Sequence, residues 1–199
     1  MQIKLRDDWF ILSNSAESVE DVFSQVNGLI EDENLYIERV FVDGVEIHED
    51  IRGYLLLRLS EIKKVEFIFI SRRGHMMQRL IDTVNYLSSA LPEVEALSSQ
   101  IYNKMTDKTW SKISHLFEGI QFILKVYEAF TEMDNLNVYR QEYEVHLQVL
   151  IKEIRNIEIA LSNSDYTLLA DLIKYEIFPA LTQLKDISLK IVEVEGVEK

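Results

Sequence analysis

The side chains in this sequence that can do chemistry are few and scattered. There is no cysteine, and the four histidines are His48, His75, His115 and His146. Thiolate nucleophiles, thiolate metal sites and disulfides are therefore absent together. A zinc hydrolase needs two histidines one helical turn apart (His-Glu-x-x-His), and a carboxylate-bridged di-iron bundle needs paired Glu-x-x-His motifs. Neither pattern occurs. The nearest spacings are Glu142 with His146 at i,i+4 and His115 with Glu118 at i,i+3 in the reverse order. Each pair shares a helix face and fits an ordinary ion pair. No P-loop, GxGxxG, GxSxG elbow or kinase signature is present, and six glycines standing singly give little from which to build a phosphate-cradling loop. The expectation is a protein that is not an enzyme, with no catalytic residues, cofactor or stoichiometric metal.

Two stretches gather polar and aromatic groups. SDYTLLADLIKYE holds Asp165, Tyr166, Asp171, Tyr175 and Glu176, which suit a recognition face or an acid/base pair. The same residues also fit a helix start, with Asp165 as its cap and tyrosines packed at the edge of a core. Arg72 and Arg73, with His75 beyond Gly74, form a local cationic cluster in an acidic chain. That cluster suits an anion or an acidic partner, and equally a solvated linker whose basic groups pair with nearby glutamates.

These residues need elements to hold them, and the hydrophobic period changes once along the chain. Up to residue 73 it is mostly two. Ile3 and Leu5 alternate with polar residues, RDD interrupts, and Trp9 to Leu12 resumes, which predicts a hairpin. SAESVEDVFSQVNGLIEDEN puts Val19, Val22, Phe23, Val26, Leu29 and Ile30 on one helical stripe, with Ser15 or Ser18 as its cap. Asp43-Gly44 between Phe41-Val42 and Val45 is a type I′ hairpin signal, because both central residues need positive φ. DIRGYLLLRLSEI predicts a short helix, and Val65 to Ile70 a buried strand.

The order strand, strand, helix, strand, strand, short helix, strand resembles the β-grasp fold of the ubiquitin-like family. MQIKL opens the chain, ESVEDVFSQV stands in the place of the single helix, VFVDGVEIHEDIRGYL supplies the turn and following short helix, and KKVEFIFISRRG looks like the last strand with its basic exit. The resemblance implies a compact recognition module whose sheet face or edge docks partners. Conjugation is not implied. Arg72-Arg73 is followed by a lone Gly74 and His75, and the chain runs on.

From Gly74 the period is helical. Met77, Leu80, Val84, Leu87 and Leu91 form one stripe, continued after Pro92 by Val94, Leu97 and Ile101, which predicts a helix kinked at the proline. After a Thr106-Asp107 cap, Trp110, Ile113, Phe117, Ile120, Leu124 and Tyr127 repeat at seam spacing, with Leu116, Ile123 and Phe130 beside them. A turn at MDNLN leads to Tyr143, Leu147, Leu150, Ile154, Ile157 and Leu161. LSNSD then stops that helix and caps a last one through Leu168, Leu169, Leu172, Ile173, Leu181, Leu184 and Ile191, bent at Pro179. The predicted class is α+β: a small β-grasp-like domain over 1–73, an antiparallel helical bundle of three to four long helices over 74–192, and a frayed tail over 193–199.

With 47% hydrophobic and 28% charged residues the composition is that of a globular protein, and a net charge of −13 disfavours nucleic acid and anionic lipid as partners. The start lacks a basic segment followed by an apolar run, and no apolar stretch is long enough to span a bilayer, which predicts a cytoplasmic protein off the membrane. The functional expectation is a non-enzymatic protein–protein interaction module (adaptor, chaperone-like or regulatory) using a protein partner or a homo-oligomer through the bundle. The alternative is a small-ligand-binding protein or enzyme with a carboxylate-rich pocket at the domain junction. A purely structural subunit of a larger assembly is the third reading.

Overall fold

The computed structural model describes residues 1–131, 133 and 136–196. It is an α+β chain that divides into two compact units, Met1–His75 and Met76–Lys199. In the first, β1 (Gln2–Leu5) and β2 (Asp8–Ile11) form the predicted hairpin, with Gln2 opposite Ile11. Ser15 caps α1 (Ala16–Glu33), its hydroxyl accepting from the Ser18 N–H at 3.2 Å. β3 (Leu35–Val42) and β4 (Val45–Ile47) are joined by Asp43 and Gly44 at φ +50° and +83°, as a type I′ turn requires. The Asp43 carboxylate has a second task. It accepts from the Lys63 and Lys64 N–H groups at 3.1 and 2.8 Å, pinning the start of β5 (Lys64–Ser71). Between β4 and β5, α2 (Ile51–Leu57) is capped by Asp50, which accepts from the Gly53 N–H at 3.0 Å.

The sheet order is β2-β1-β5-β3-β4, with β1 and β5 parallel and the other pairs antiparallel. A small mixed sheet of this order, followed by helices, is compatible with a β-grasp-like fold. Ile3, Val40, Val42, Val65 and Phe67 on its inner face close over Val19, Val22 and Val26 of α1 and Leu55 of α2. The apolar run in β5 is not buried throughout. Val65 and Phe67 are buried and Phe69 packs half-buried beside them on the same face, whereas Ile68 and Ile70 leave the strand on the opposite face.

The second unit is helical. α3 (Arg72–Asn103) starts in the last residues of the first unit and runs unbroken past Pro92. Pro92 and Ser88 are both exposed, so the Ser88 carbonyl that loses its donor can turn to water. Thr106 and Thr109 cap α4 (Asp107–Thr131) reciprocally, each hydroxyl accepting from the other's N–H at 3.2 and 3.3 Å. The buried row of α4 is Ile113, Leu116, Ile120, Ile123, Val126 and Phe130, which corrects the predicted seam. Trp110 is exposed, and Phe117, Leu124 and Tyr127 sit on its flank. Both rows share Ile113 and Ile120, so only the neighbouring helices decide which edge of the wide stripe turns inward.

The expected MDNLN turn includes Asp134 and Asn135, which lie outside the described residues, as do the last three residues of the tail, 197–199. α5 (Asn137–Ser162) follows. The final stretch comprises α6 (Tyr166–Leu172), a π-helical turn over Ile173–Ile177 and α7 (Phe178–Glu195). The π turn answers Pro179. A proline cannot donate to the Tyr175 carbonyl and its ring crowds it, so the turn widens and the Phe178 N–H reaches Ile173.

Contacts fix the directions of the helices. Glu93 and Tyr86 of α3 meet Lys112 and Phe122 of α4. Tyr139 and Tyr143 of α5 meet Glu195 and Ser188 of α7. In both pairs numbers rise on one helix as they fall on the other, so the pairs are antiparallel. Tyr127, Phe130 and Tyr143 stack where α4 and α5 approach, with Tyr143 1% exposed. No described helix is long and apolar enough to cross a membrane.

Candidate functional site

A left-handed Ser164 (φ 56°) turns the chain out of α5, and the Asp165 carboxylate then accepts from the Leu168 N–H at 2.9 Å. Asp165 is thus the helix cap. Leu169, Ala170 and Ile173 turn into the core, which leaves Leu168, Asp171 and Tyr175 as a stripe at i, i+3 and i+7. Leu168 and Tyr175 are exposed, Asp171 half-buried. Tyr102, near the end of α3, donates its hydroxyl to Asp171. That hydrogen bond pushes the phenol up to about 12, helped by desolvation and by the neighbouring Asp171 and Tyr175 charges. Tyr102 is therefore a protonated donor held in place. The Tyr175 ring is 59% exposed and carries the Lys174 ammonium 5.0 Å from its centroid. Together Tyr102, Leu168, Asp171 and Tyr175 make an aromatic ridge with one carboxylate in it.

The other sequence-selected residues of this stretch have different surroundings. Tyr166 packs against the core, with Trp110 edge-on at 6.5 Å and 83°. Glu176 is exposed on the π turn, and its charge raises the Lys152 ammonium on α5, after the larger effect of Glu153. Glu153 itself is a buried carboxylate that the sequence reading passes over. Burial alone would raise it, but the Lys152 ammonium at 2.8 Å and the Asn156 amide at 2.6 Å hold it below the ordinary carboxylate range. Its spacing carries the signal: Leu150, Glu153 and Ile157 continue the apolar stripe at three and four.

Arg72, Arg73 and His75 fall in the first turn of α3. The Ser71 hydroxyl accepts from the Gly74 N–H at 3.0 Å, and His75 stacks on Tyr36 with centroids 4.7 Å apart. Arg72, Arg73 and His75 belong to the first compact unit and the α6 ridge to the second. Glu142 pairs with Lys190 at 3.1 Å. Among the described residues no group of three or more histidines, aspartates and glutamates is arranged to hold a metal ion.

The chain is thus an α+β protein of two units, a small mixed sheet and a helical bundle with an exposed aromatic–carboxylate ridge. Residues 79–187, more than half of its length, match the family described as "Domain of unknown function (DUF8042)", and the chain belongs to that family. The match takes in all of α4, α5 and α6 and most of α3, so the ridge lies inside it. No curated protein and no solved structure matches the chain.

Proposed function

We propose that this protein is a non-enzymatic protein–protein interaction module, working in the cytoplasm as an adaptor, chaperone-like or regulatory protein. Its helical unit engages the partner through the ridge of Tyr102, Leu168, Asp171 and Tyr175, and its ubiquitin-like first unit offers a second docking surface. The observation that carries the reading is the Tyr102–Asp171 pair beside the exposed Tyr175 ring. Tyrosines are enriched at binding hot spots because they bring large contact area and a polar tip at little cost in rotamer entropy.

Asp171, the nearby Asp165 and Glu176, and a net charge of −13 favour a partner segment carrying lysine or arginine between apolar residues. Affinity capture from the native host, comparing the wild-type chain with Tyr175→Ala and Asp171→Ala, tests it. The partner is retained by wild type and reduced roughly 30-fold by each variant, the equivalent of a hot-spot loss of about 2 kcal/mol. Equal recovery by all three proteins, with their folding unchanged, contradicts the reading. A second copy of the chain as the partner would show instead as a dimer in sedimentation of wild type alone.

A further inference from the structure

A cleft with a volume of about 280 Å³ opens between α3 and α4, apart from the α6 ridge. Its floor is hydrocarbon: Leu87, Val94, Leu97, Leu116, Ile120 and Ile123. Ala90, Gly119 and Leu181 extend the apolar lining, and its polar groups are Tyr86, Glu93, Lys112 and His115. Lys112 is the better covered partner of an ion pair, its side chain 23% exposed, whereas the Glu93 side chain 2.8 Å away is 69% exposed. The cleft thus holds a partly sheltered cation whose present counter-ion is free to swing into solvent.

We infer that this cleft binds a medium-chain aliphatic monocarboxylate, its tail on the apolar floor and its carboxylate taking the place of Glu93 on Lys112. Three features define the class. The floor offers no polar side chain to a ligand, so the buried part is hydrocarbon. The volume is nearly twice the ~150 Å³ of a cavity that holds benzene, so in the same proportion it accommodates roughly ten carbons. Around it the ammonium of Lys112 and the phenol of Tyr86 are donors, and the one carboxylate, Glu93, is the group that a ligand anion displaces.

Gly119 shapes the same wall. A Cβ there would collide with the Tyr86 phenol, whose Cζ lies 2.7 Å from that position, so glycine lets the phenol approach α4 this closely.

Titration calorimetry of the full chain with octanoate, octanol and octylamine tests the inference. Octanoate binds tightest. Lys112→Met, which keeps an apolar stem, weakens octanoate ten- to a hundredfold and leaves octanol within about twofold. Glu93→Gln, which removes the competing anion and disturbs no core residue, tightens octanoate severalfold. Binding of octanol or octylamine as tight as octanoate overturns the inference, as does an equal effect of Lys112→Met on octanoate and octanol. No binding of any of the three by a chain with a native circular dichroism spectrum overturns it too.

Discussion

Replacing Gly119 by alanine places two effects of opposite sign in one residue. In a helix interior, glycine to alanine gains about 1 kcal/mol, since alanine loses less backbone entropy on folding. At position 119 the added methyl meets the Tyr86 phenol, so the ring must leave its place. Tyr86 then loses its edge-on contact with Phe122, centroids 5.7 Å apart, worth about 0.5–1.5 kcal/mol. It also loses what cover its 37%-exposed ring has, about 1 kcal/mol more. Gly119→Ala should therefore destabilise the wild-type protein by about 1 kcal/mol and stabilise a Tyr86→Ala background by about 1 kcal/mol, a coupling of about 2 kcal/mol. Urea unfolding of the four proteins, followed by far-UV circular dichroism, reads this directly. A Gly119→Ala gain of about 1 kcal/mol in both backgrounds, with coupling below about 0.5 kcal/mol, would refute the packing of Tyr86 on Gly119 and the shape of the cleft with it.

Three further outcomes are expected. Of the nine tyrosines, Tyr102 and Tyr143 are pushed up to about 12, by the Asp171 hydrogen bond and by burial respectively. Their folded values lie above the ordinary 10, so the stability they contribute is complete below pH 10 and is lost as pH rises through 12. In a spectrophotometric alkaline titration Tyr102→Phe removes one late phenol, and Asp171→Asn moves it back towards 10. The Glu153 carboxyl is lowered from 4.5, so its contribution is present above 4.5 and is lost as pH falls through the lower folded value. Glu153→Gln costs about 1 kcal/mol near neutrality, and the gap from wild type in denaturant unfolding closes in acid. At the hairpin, Asp43→Ala loses the tolerance of positive φ and two accepted hydrogen bonds, about 2 kcal/mol in all. Asp43→Asn keeps most of both and costs less than about 1 kcal/mol in the same assay.

What the sequence revealed was local. The switch from period two to a helical period located the sheet and the helices, and Asp43-Gly44 marked its turn because positive φ at both central residues is a demand on those residues alone. Ser15 and Thr106 announced their caps for the same reason. What stayed hidden depends on partners far along the chain. Which edge of the α4 stripe turns inward is decided by α3, α5 and α7, not by α4 itself. Pro179 announced a disturbance, but its repair as a π turn reflects the packing of Ile173 and Ile177 on the core. In the candidate site, Asp165, Asp171 and Tyr175 were legible as a polar–aromatic run. Tyr102, which donates to Asp171 from 69 residues away, was not, because no periodicity links them. Gly119 read as one glycine among six, and only the approach of Tyr86 gives it a role.

The claim that the α6 ridge docks a partner is tested most directly by photo-crosslinking in the native host. A photoreactive phenylalanine derivative is placed at Tyr175 on the ridge or at Val145, an exposed α5 residue that is 57% accessible. Docking at the ridge gives one discrete adduct from position 175, joined to a peptide with basic and apolar residues, lost on Asp171→Ala and absent from position 145. No discrete adduct from position 175, or the same adducts from both positions, would contradict it.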